Sequence, residues 1–276
     1  MDIEGKVFAN RLVRTGEVTT NIREAGHGQL VIFLHGTSGN ATVWDPVMDD
    51  LKDSFRVVAV DQRGHGLSDK PASGYSGADF SADIASLVQV LDAGPAVIVG
   101  HSLGARNAFV VAASRPDLVC GVVAIDFTPF LASEIFDGIA SRVGGGARAF
   151  DSPEAVAAYL RQRYPRFPED AIQRRVANGY VEVDGQYAAL ADPESMVQTT
   201  NGLREDFEWA VRQVECQVLM IRGLESALVS PEAFEQTLAV RPDFSRLVIP
   251  DADHYIPEEV PSTVSVAIRR FAGSLV

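Results

Sequence analysis

Apolar positions in this chain fall into two patterns that alternate along its length. Short, nearly continuous apolar runs at Leu30 to Leu34, Phe55 to Val60, Ala96 to Gly100, Leu118 to Ile125, Val218 to Ile221 and Arg246 to Ile249 read as strands, most of them buried on both faces. Helical spacing recurs over Ala41 to Leu51, Phe80 to Leu91, Leu103 to Ala113, Pro231 to Val240 and Val260 to Phe271. Ahead of these, residues 7–24 alternate around a turn at Gly16, which predicts an antiparallel hairpin from Val7 to Arg23. Strands alternating with helices predict an α/β protein with a mostly parallel central sheet and helices on both faces. The rhythm breaks between Phe130 and Phe207, where helical segments, the glycines Gly144 to Gly146 and many arginines occur with no clear strand. The expected organisation is a core of residues 1–130 and 208–276 with a helical cap inserted at 131–207.

The sharpest chemistry lies where one strand gives way to a helix. Gly100-His101-Ser102-Leu103-Gly104 has the G-x-S-x-G spacing of a nucleophile elbow, which lifts a serine above the end of a sheet. The glycines provide space, and the first amides of the following helix point at any oxyanion formed beside Ser102. The backbone N–H groups of Leu103 and of Thr37, in the polar loop His35-Gly36-Thr37-Ser38, are the expected oxyanion donors.

A serine hydroxyl is a weak nucleophile until a base takes its proton, and the base needs an acid to fix its tautomer. Of the five histidines, His254 follows the last strand at the ligand-binding end of the sheet and is the expected base. His27 reads as an exposed loop residue and His35 as bonded locally. His65 belongs, with Asp61 and Arg63, to a self-satisfied polar turn, and His101 is expected to point away from its neighbour Ser102. Two acids compete. In most hydrolases with such an elbow the acid follows the strand here ending at Ile221, at the position of Ser226. Ser226 is not acidic, and Glu225 beside it is one residue out of phase. Asp126, ending the strand after the elbow helix, is therefore preferred to Glu225.

Charge narrows the partners. The 276 residues carry 24 Lys and Arg against 37 Asp and Glu, a net charge of −13, with the acids scattered. That argues against nucleic acid or an anionic membrane. An anionic small molecule remains compatible, because charges beyond about 8 Å are screened at physiological salt. No apolar run approaches the roughly 20 residues needed to span a bilayer, and Met1-Asp-Ile-Glu-Gly-Lys6 has no apolar signal region. Cys120 and Cys216 read as buried or half-buried thiols in a reducing cytoplasm. A homodimer is compatible with all of this.

The segments Ala59 to Pro71, Val99 to Asn107, Val122 to Pro129 and Ala252 to Tyr255 together resemble the α/β-hydrolase superfamily across essentially the whole chain. Ile125-Asp126-Phe127-Thr128-Pro129, with Arg222-Gly-x-x-Ser226 and no later Asp at the usual site, is similar to a narrower group. Its members are enamide hydrolases of vitamin B6 degradation. The resemblance implies the α/β-hydrolase fold, Asp126 as triad acid, no metal and no cofactor. The implied reaction cleaves an N-acetylated enamine bearing two carboxylates. It further implies Arg142, Arg163, Tyr164 and Tyr255 as carboxylate-binding residues, drawn from an arginine-rich cap that also holds Arg148, Arg161, Arg166, Arg174 and Arg175. Arginine suits that task because its fork matches a carboxylate. Thr37 departs from the pattern, standing where a larger apolar residue is expected. Competing readings are a broad carboxylesterase, an enol-lactone or carbon–carbon bond hydrolase, a cofactor-free dioxygenase, and a non-enzymatic small-ligand receptor.

Overall fold

The computed structural model describes residues 8–144 and 148–275. Val7 at the predicted hairpin start, and Gly145 and Gly146 of the glycine run, lie outside them. An eight-stranded sheet runs through the core in the order β1-β2-β4-β3-β5-β6-β9-β10. Its strands are β1 (Asn10–Thr15), β2 (Val18–Ala25), β3 (Leu30–Leu34), β4 (Arg56–Val60), β5 (Ala96–His101), β6 (Val119–Ile125), β9 (Gln217–Gly223) and β10 (Ser245–Ile249). β1 and β2 form the predicted antiparallel hairpin, and the strands from β4 onward are mutually parallel.

The strand runs explain the layering. In β3, Leu30, Ile32 and Leu34 enter one apolar cluster while Val31 and Phe33 enter the other, so period-two alternation buries both faces. One face is covered by α2 (Gly77–Leu91), α3 (Leu103–Ser114), α8 (Glu208–Gln213) and α9 (Pro231–Val240). The other is covered by α1 (Asp45–Leu51) and α11 (Pro261–Gly273).

Several boundaries differ from those predicted, each for a local reason. The helix expected over 41–51 splits: Ala41–Trp44 is a 3₁₀ turn, and the α-helix starts only at Asp45, with Pro46 in its first turn. Proline has no N–H to lose there and is pre-set for a helix start. Conversely, α2 begins three residues early. Ser76 and Asp79 form a reciprocal capping box that satisfies the first amides.

Between β6 and β9 the chain forms α4 (Ser133–Gly144), α5 (Pro153–Arg163), α6 (Glu169–Gly179), β7 (Tyr180–Val183), β8 (Gln186–Ala189) and α7 (Pro193–Gly202). β7 and β8 pair as a small antiparallel hairpin, which corrects the expectation of a strandless insertion. Asp184 and Gly185 take φ of 51° and 78° at its turn, the left-handed pair that a tight hairpin requires. The insertion has its own small apolar cluster around Phe150, Val156, Leu160, Tyr164 and Ile172, with Tyr255 of the core packed against it. The helix α10 (Ile256–Glu259) follows directly.

Candidate active site

The elbow is tight because two glycines let backbone pass where a side chain could not. A Cβ at Gly104 would stand 2.2 Å from the Leu34 carbonyl oxygen, and one at Gly100 would stand 2.1 Å from the Gly104 oxygen. Ser102, between them, has φ 53° and ψ −115°, outside the regions an L-residue favours, a strain costing on the order of 1–3 kcal/mol. Its amide donates to the Ile125 carbonyl at 2.9 Å, pinning the strained residue to the end of β6.

Three adjacent strand ends bring the remaining groups together. Asp126 immediately follows β6, and its amide donates to Ile221 of β9 at 2.8 Å. His254 comes from the loop after β10, two strands away. Gly223 makes that reach possible: a Cβ there would lie 2.4 Å from the Ala252 oxygen, so only glycine lets the histidine loop fold across the end of β9. His254 Nδ1 lies 2.8 Å from Asp126 Oδ2, and His254 Nε2 lies 3.1 Å from Ser102 Oγ. Ser102, His254 and Asp126 are all buried.

Glu225, the competing acid, is exposed. Ser226 has a role that local sequence did not announce. Its hydroxyl donates to Asp126 Oδ2 at 2.6 Å and accepts from the Val229 amide at 3.1 Å, while the Gly223 amide donates to Asp126 Oδ1 at 3.2 Å. The serine standing where an acid is usual thus anchors Asp126, the acid expected from the sequence. Its signal was the phase of Ser226 after Gly223, but its link to Asp126 spans 100 residues.

The loop carrying Thr37 lies against the elbow, since a Cβ at Gly36 would be 3.2 Å from Ser102 Cβ. Among the described residues neither the Thr37 nor the Leu103 amide donates to another group, so both remain available. A relay fixes this loop. The Gln62 amide donates to His35 Nε2 at 3.0 Å, the Gln62 side chain donates to the His35 carbonyl at 2.6 Å, and Asn107 of α3 donates to Gln62 at 2.6 Å. With Nε2 accepting, His35 Nδ1–H donates to the Gly36 carbonyl at 2.8 Å. Burial holds His35 in this neutral form, with its pKa lowered to about 4. His65 is likewise lowered, to about 3, by burial and by the neighbouring His35.

His101 does not simply point away as expected. It lines the same cavity as Ser102, its ring lies 4.7 Å from that of His254, and its Nε2 lies 2.7 Å from the His254 carbonyl oxygen, to which it donates. Burial, then His254, push its pKa well below the ordinary value, so it supports the His254 loop as a neutral ring.

These groups open into a cavity of about 170 Å³ whose lining also includes Thr37, Ile135, Ile139, Arg142, Arg163, Tyr164, Leu228 and Tyr255. The arginines of the insertion divide by partner. Arg161, Arg166, Arg174 and Arg175 pair with Glu169, Glu259, Asp170 and Glu258. Among the described residues Arg142, Arg148 and Arg163 face no carboxylate within 4.0 Å. Arg148 lies over the Tyr159 ring, 4.1 Å from its centre. Arg163 donates to the hydroxyls of Tyr164 and Tyr159 and to the Arg142 carbonyl. Arg142 reaches the Tyr255 hydroxyl at 3.5 Å. The four residues expected to bind carboxylates therefore share one wall, and among the described residues no carboxylate neutralises its two cations. Among the described residues no group of three or more His, Cys, Asp or Glu is placed to hold a metal ion. No helix among them is long and apolar enough to cross a membrane.

The pattern of the alpha/beta hydrolase family matches residues 31–267. The chain belongs to that family. A relative from Mesorhizobium japonicum, 2-(acetamidomethylene)succinate hydrolase, is 48% identical over 270 residues, which cover 98% of this chain and 97% of that protein. A crystal structure of E-2-(acetamidomethylene)succinate hydrolase superposes with a TM-score of 0.95 at 48% identity, covering 96% of this chain and 99% of that one. The enol-lactonase of Burkholderia xenovorans, 17% identical, covers 95% of this chain and 100% of its own with a TM-score of 0.77, and shares the fold. The protein is a hydrolase of this fold.

Proposed function

We propose that the protein hydrolyses the amide bond of 2-(acetamidomethylene)succinate or a closely similar dicarboxylate enamide, with Ser102 as nucleophile, His254 as base and Asp126 as the acid that orients it. Residues 131–207 act as the cap over this site, and the enzyme works in the cytoplasm, a reading its two free, half-buried thiols support. The observation that carries the substrate reading is the wall of Arg142 and Arg163. Both line the cavity of Ser102, and neither meets a carboxylate among the described residues, whereas Arg161, Arg166, Arg174 and Arg175 do. An unpaired guanidinium facing a half-buried cavity favours an anionic ligand, and hydrogen bonds to charged groups contribute about 1.5–3 kcal/mol each.

In this reading Ser102 Oγ passes its proton to His254 Nε2 and attacks the acetyl carbonyl. The carbonyl electrons move onto oxygen, where the Thr37 and Leu103 amides receive the oxyanion; one such donor typically stabilises the transition state by about 3 kcal/mol. Collapse breaks the C–N bond, and protonated His254 returns its proton to the departing nitrogen. The leaving enamine is conjugated with a substrate carboxylate, so arginine beside that carboxylate stabilises the charge that develops on departure. Water activated by His254 then frees acetate. The released enamine hydrolyses to ammonia and an aldehyde that loses carbon dioxide, giving succinic semialdehyde.

The test is a turnover panel with purified protein: 2-(acetamidomethylene)succinate, its neutral diester, a simple acetate ester and an enol lactone. The proposal expects the dicarboxylate to exceed the diester in kcat/KM by about 100-fold or more, two charge-assisted contacts being lost at once. Equal turnover of diester and dicarboxylate would return the enzyme to the broad carboxylesterases.

A further inference from the structure

One arginine of the insertion meets the substrate wall from behind. Arg175 on α6 grips Glu258 of α10 with both prongs, Nε to Oε1 at 2.8 Å and Nη2 to Oε2 at 2.6 Å. The two side chains are 13% and 4% exposed, so the pair is shielded from solvent. The same guanidinium lies over Tyr164 and Phe167, 4.7 Å and 5.2 Å from their ring centres. Arg166 pairs with Glu259 on the same short helix, so the insertion holds α10 at two successive residues.

The remaining prong decides what Tyr164 can do. Arg175 Nη1 donates to the Tyr164 hydroxyl oxygen at 3.4 Å, and Arg163 Nε donates to the same oxygen at 3.0 Å. A phenol oxygen so engaged has spent its acceptor capacity on two groups that can only donate. Its own proton has no acceptor among the described residues, and Tyr164 lines the cavity of Ser102. We propose that Arg175 is a positioning residue for substrate selection: neutralised by Glu258, it binds no substrate itself but turns the Tyr164 hydroxyl into an obligate donor toward a carboxylate in the catalytic cavity. This rests on the reading of Tyr164 as a substrate-binding residue. The electrostatics agree: burial raises the Tyr164 pKa, but Arg175 and then Arg163 outweigh it and hold the phenol below its ordinary value, which strengthens it as a donor. An ammonium group in the carboxylate's place can only donate and meets a proton instead of a lone pair, so the same device disfavours it.

The experiment is a double-mutant cycle read on two substrates, 2-(acetamidomethylene)succinate and neutral p-nitrophenyl acetate. Tyr164→Phe and Arg175→Met are each expected to lower kcat/KM for the dicarboxylate about tenfold, mainly through KM. The double variant should be no worse than either single one, and the neutral ester should change less than about twofold. Additive losses approaching about 100-fold, or equal losses on both substrates, would overturn the proposal, because a purely structural role damages every substrate alike. An unaltered Tyr164→Phe enzyme would remove Tyr164 from the binding site, and the proposal with it, while leaving the serine chemistry intact. Should Arg175→Met not fold, Arg175→Lys keeps a cation opposite Glu258 but loses the fork; it should still lose several-fold on the dicarboxylate alone, and loss on both substrates overturns the proposal.

Discussion

Replacing Asp126 with asparagine probes the least conventional part of the site. All three groups around the carboxylate act as donors to it: His254 Nδ1 at 2.8 Å, the Ser226 hydroxyl at 2.6 Å and the Gly223 amide at 3.2 Å. An amide offers one oxygen and one NH₂ in the same space. With NH₂ toward His254, Nδ1 must become the acceptor, and the ring proton moves to Nε2, 3.1 Å from Ser102 Oγ. A base already carrying that proton cannot take another from serine. With NH₂ toward Gly223, two donors oppose each other in a buried site, at a cost of about 1–3 kcal/mol. The same exchange in a well-characterised Ser-His-Asp triad lowers kcat about 10⁴-fold, equivalent to about 5.5 kcal/mol. Asp126→Asn should therefore lose about four orders of magnitude in kcat on 2-(acetamidomethylene)succinate, with unfolding free energy falling by no more than about 3 kcal/mol in urea titration. Glu225→Gln, altering an exposed carboxylate, should keep activity within about twofold. An Asp126→Asn enzyme retaining more than about a tenth of kcat, or a Glu225→Gln enzyme losing orders of magnitude, would refute the assignment of the acid.

Arg163→Ala should raise KM for the dicarboxylate by about tenfold or more while leaving KM for a neutral acetate ester nearly unchanged; parallel effects would remove Arg163 from carboxylate binding. Ser102→Gly should abolish turnover yet raise stability by about 1 kcal/mol in urea titration, because glycine accepts φ 53° without strain; a destabilised variant would show that the elbow stores none. The buried rings set an acid limb of stability. The folded pKa values of His35 and His65, about 4 and about 3, lie below the unfolded value of about 6.5, so the unfolded chain binds more protons between these limits. Stability contributed by the neutral rings is complete above about pH 6.5 and lost as pH falls, by about 1.4 kcal/mol per unit for each ring. His65→Asn should flatten the slope between pH 6 and 4 by about that amount relative to the native protein, and unchanged slopes would contradict the burial argument.

The parallel strands were legible because burial on both faces leaves an apolar run that polar substitution would interrupt. β3 and β6 show this, each alternating between the two apolar clusters. The β7–β8 hairpin was missed although its signal was present: Val181-Glu182-Val183 alternates and Asp184-Gly185 is a turn pair. Val181 and Val183 are exposed, so the segment lacks the apolar density that marked the core strands. In the site, Ser102, Asp126 and His254 could be placed from the sequence at the ends of β5, β6 and β10, and their side chains meet there. Which arginines remain free was not readable, because pairing is decided by tertiary neighbours. Arg175 meets Glu258 across 83 positions and Arg166 meets Glu259 across 93, whereas Arg142 and Arg163 meet no carboxylate among the described residues. The role of His101 was obscured likewise, since its hydrogen-bond acceptor is the His254 carbonyl, 153 residues away.

In the proposed mechanism Ser102 attacks the acetyl group and carries it covalently. Excess enzyme mixed with 2-(acetamidomethylene)succinate, quenched with acid within a single turnover and digested for mass spectrometry, tests it directly. A transient acetyl group is expected on the peptide containing Ser102, absent from a Ser102→Ala enzyme that releases no acetate. Acetate release at the native rate with Ser102 never acetylated, or release sustained by Ser102→Ala, would contradict it.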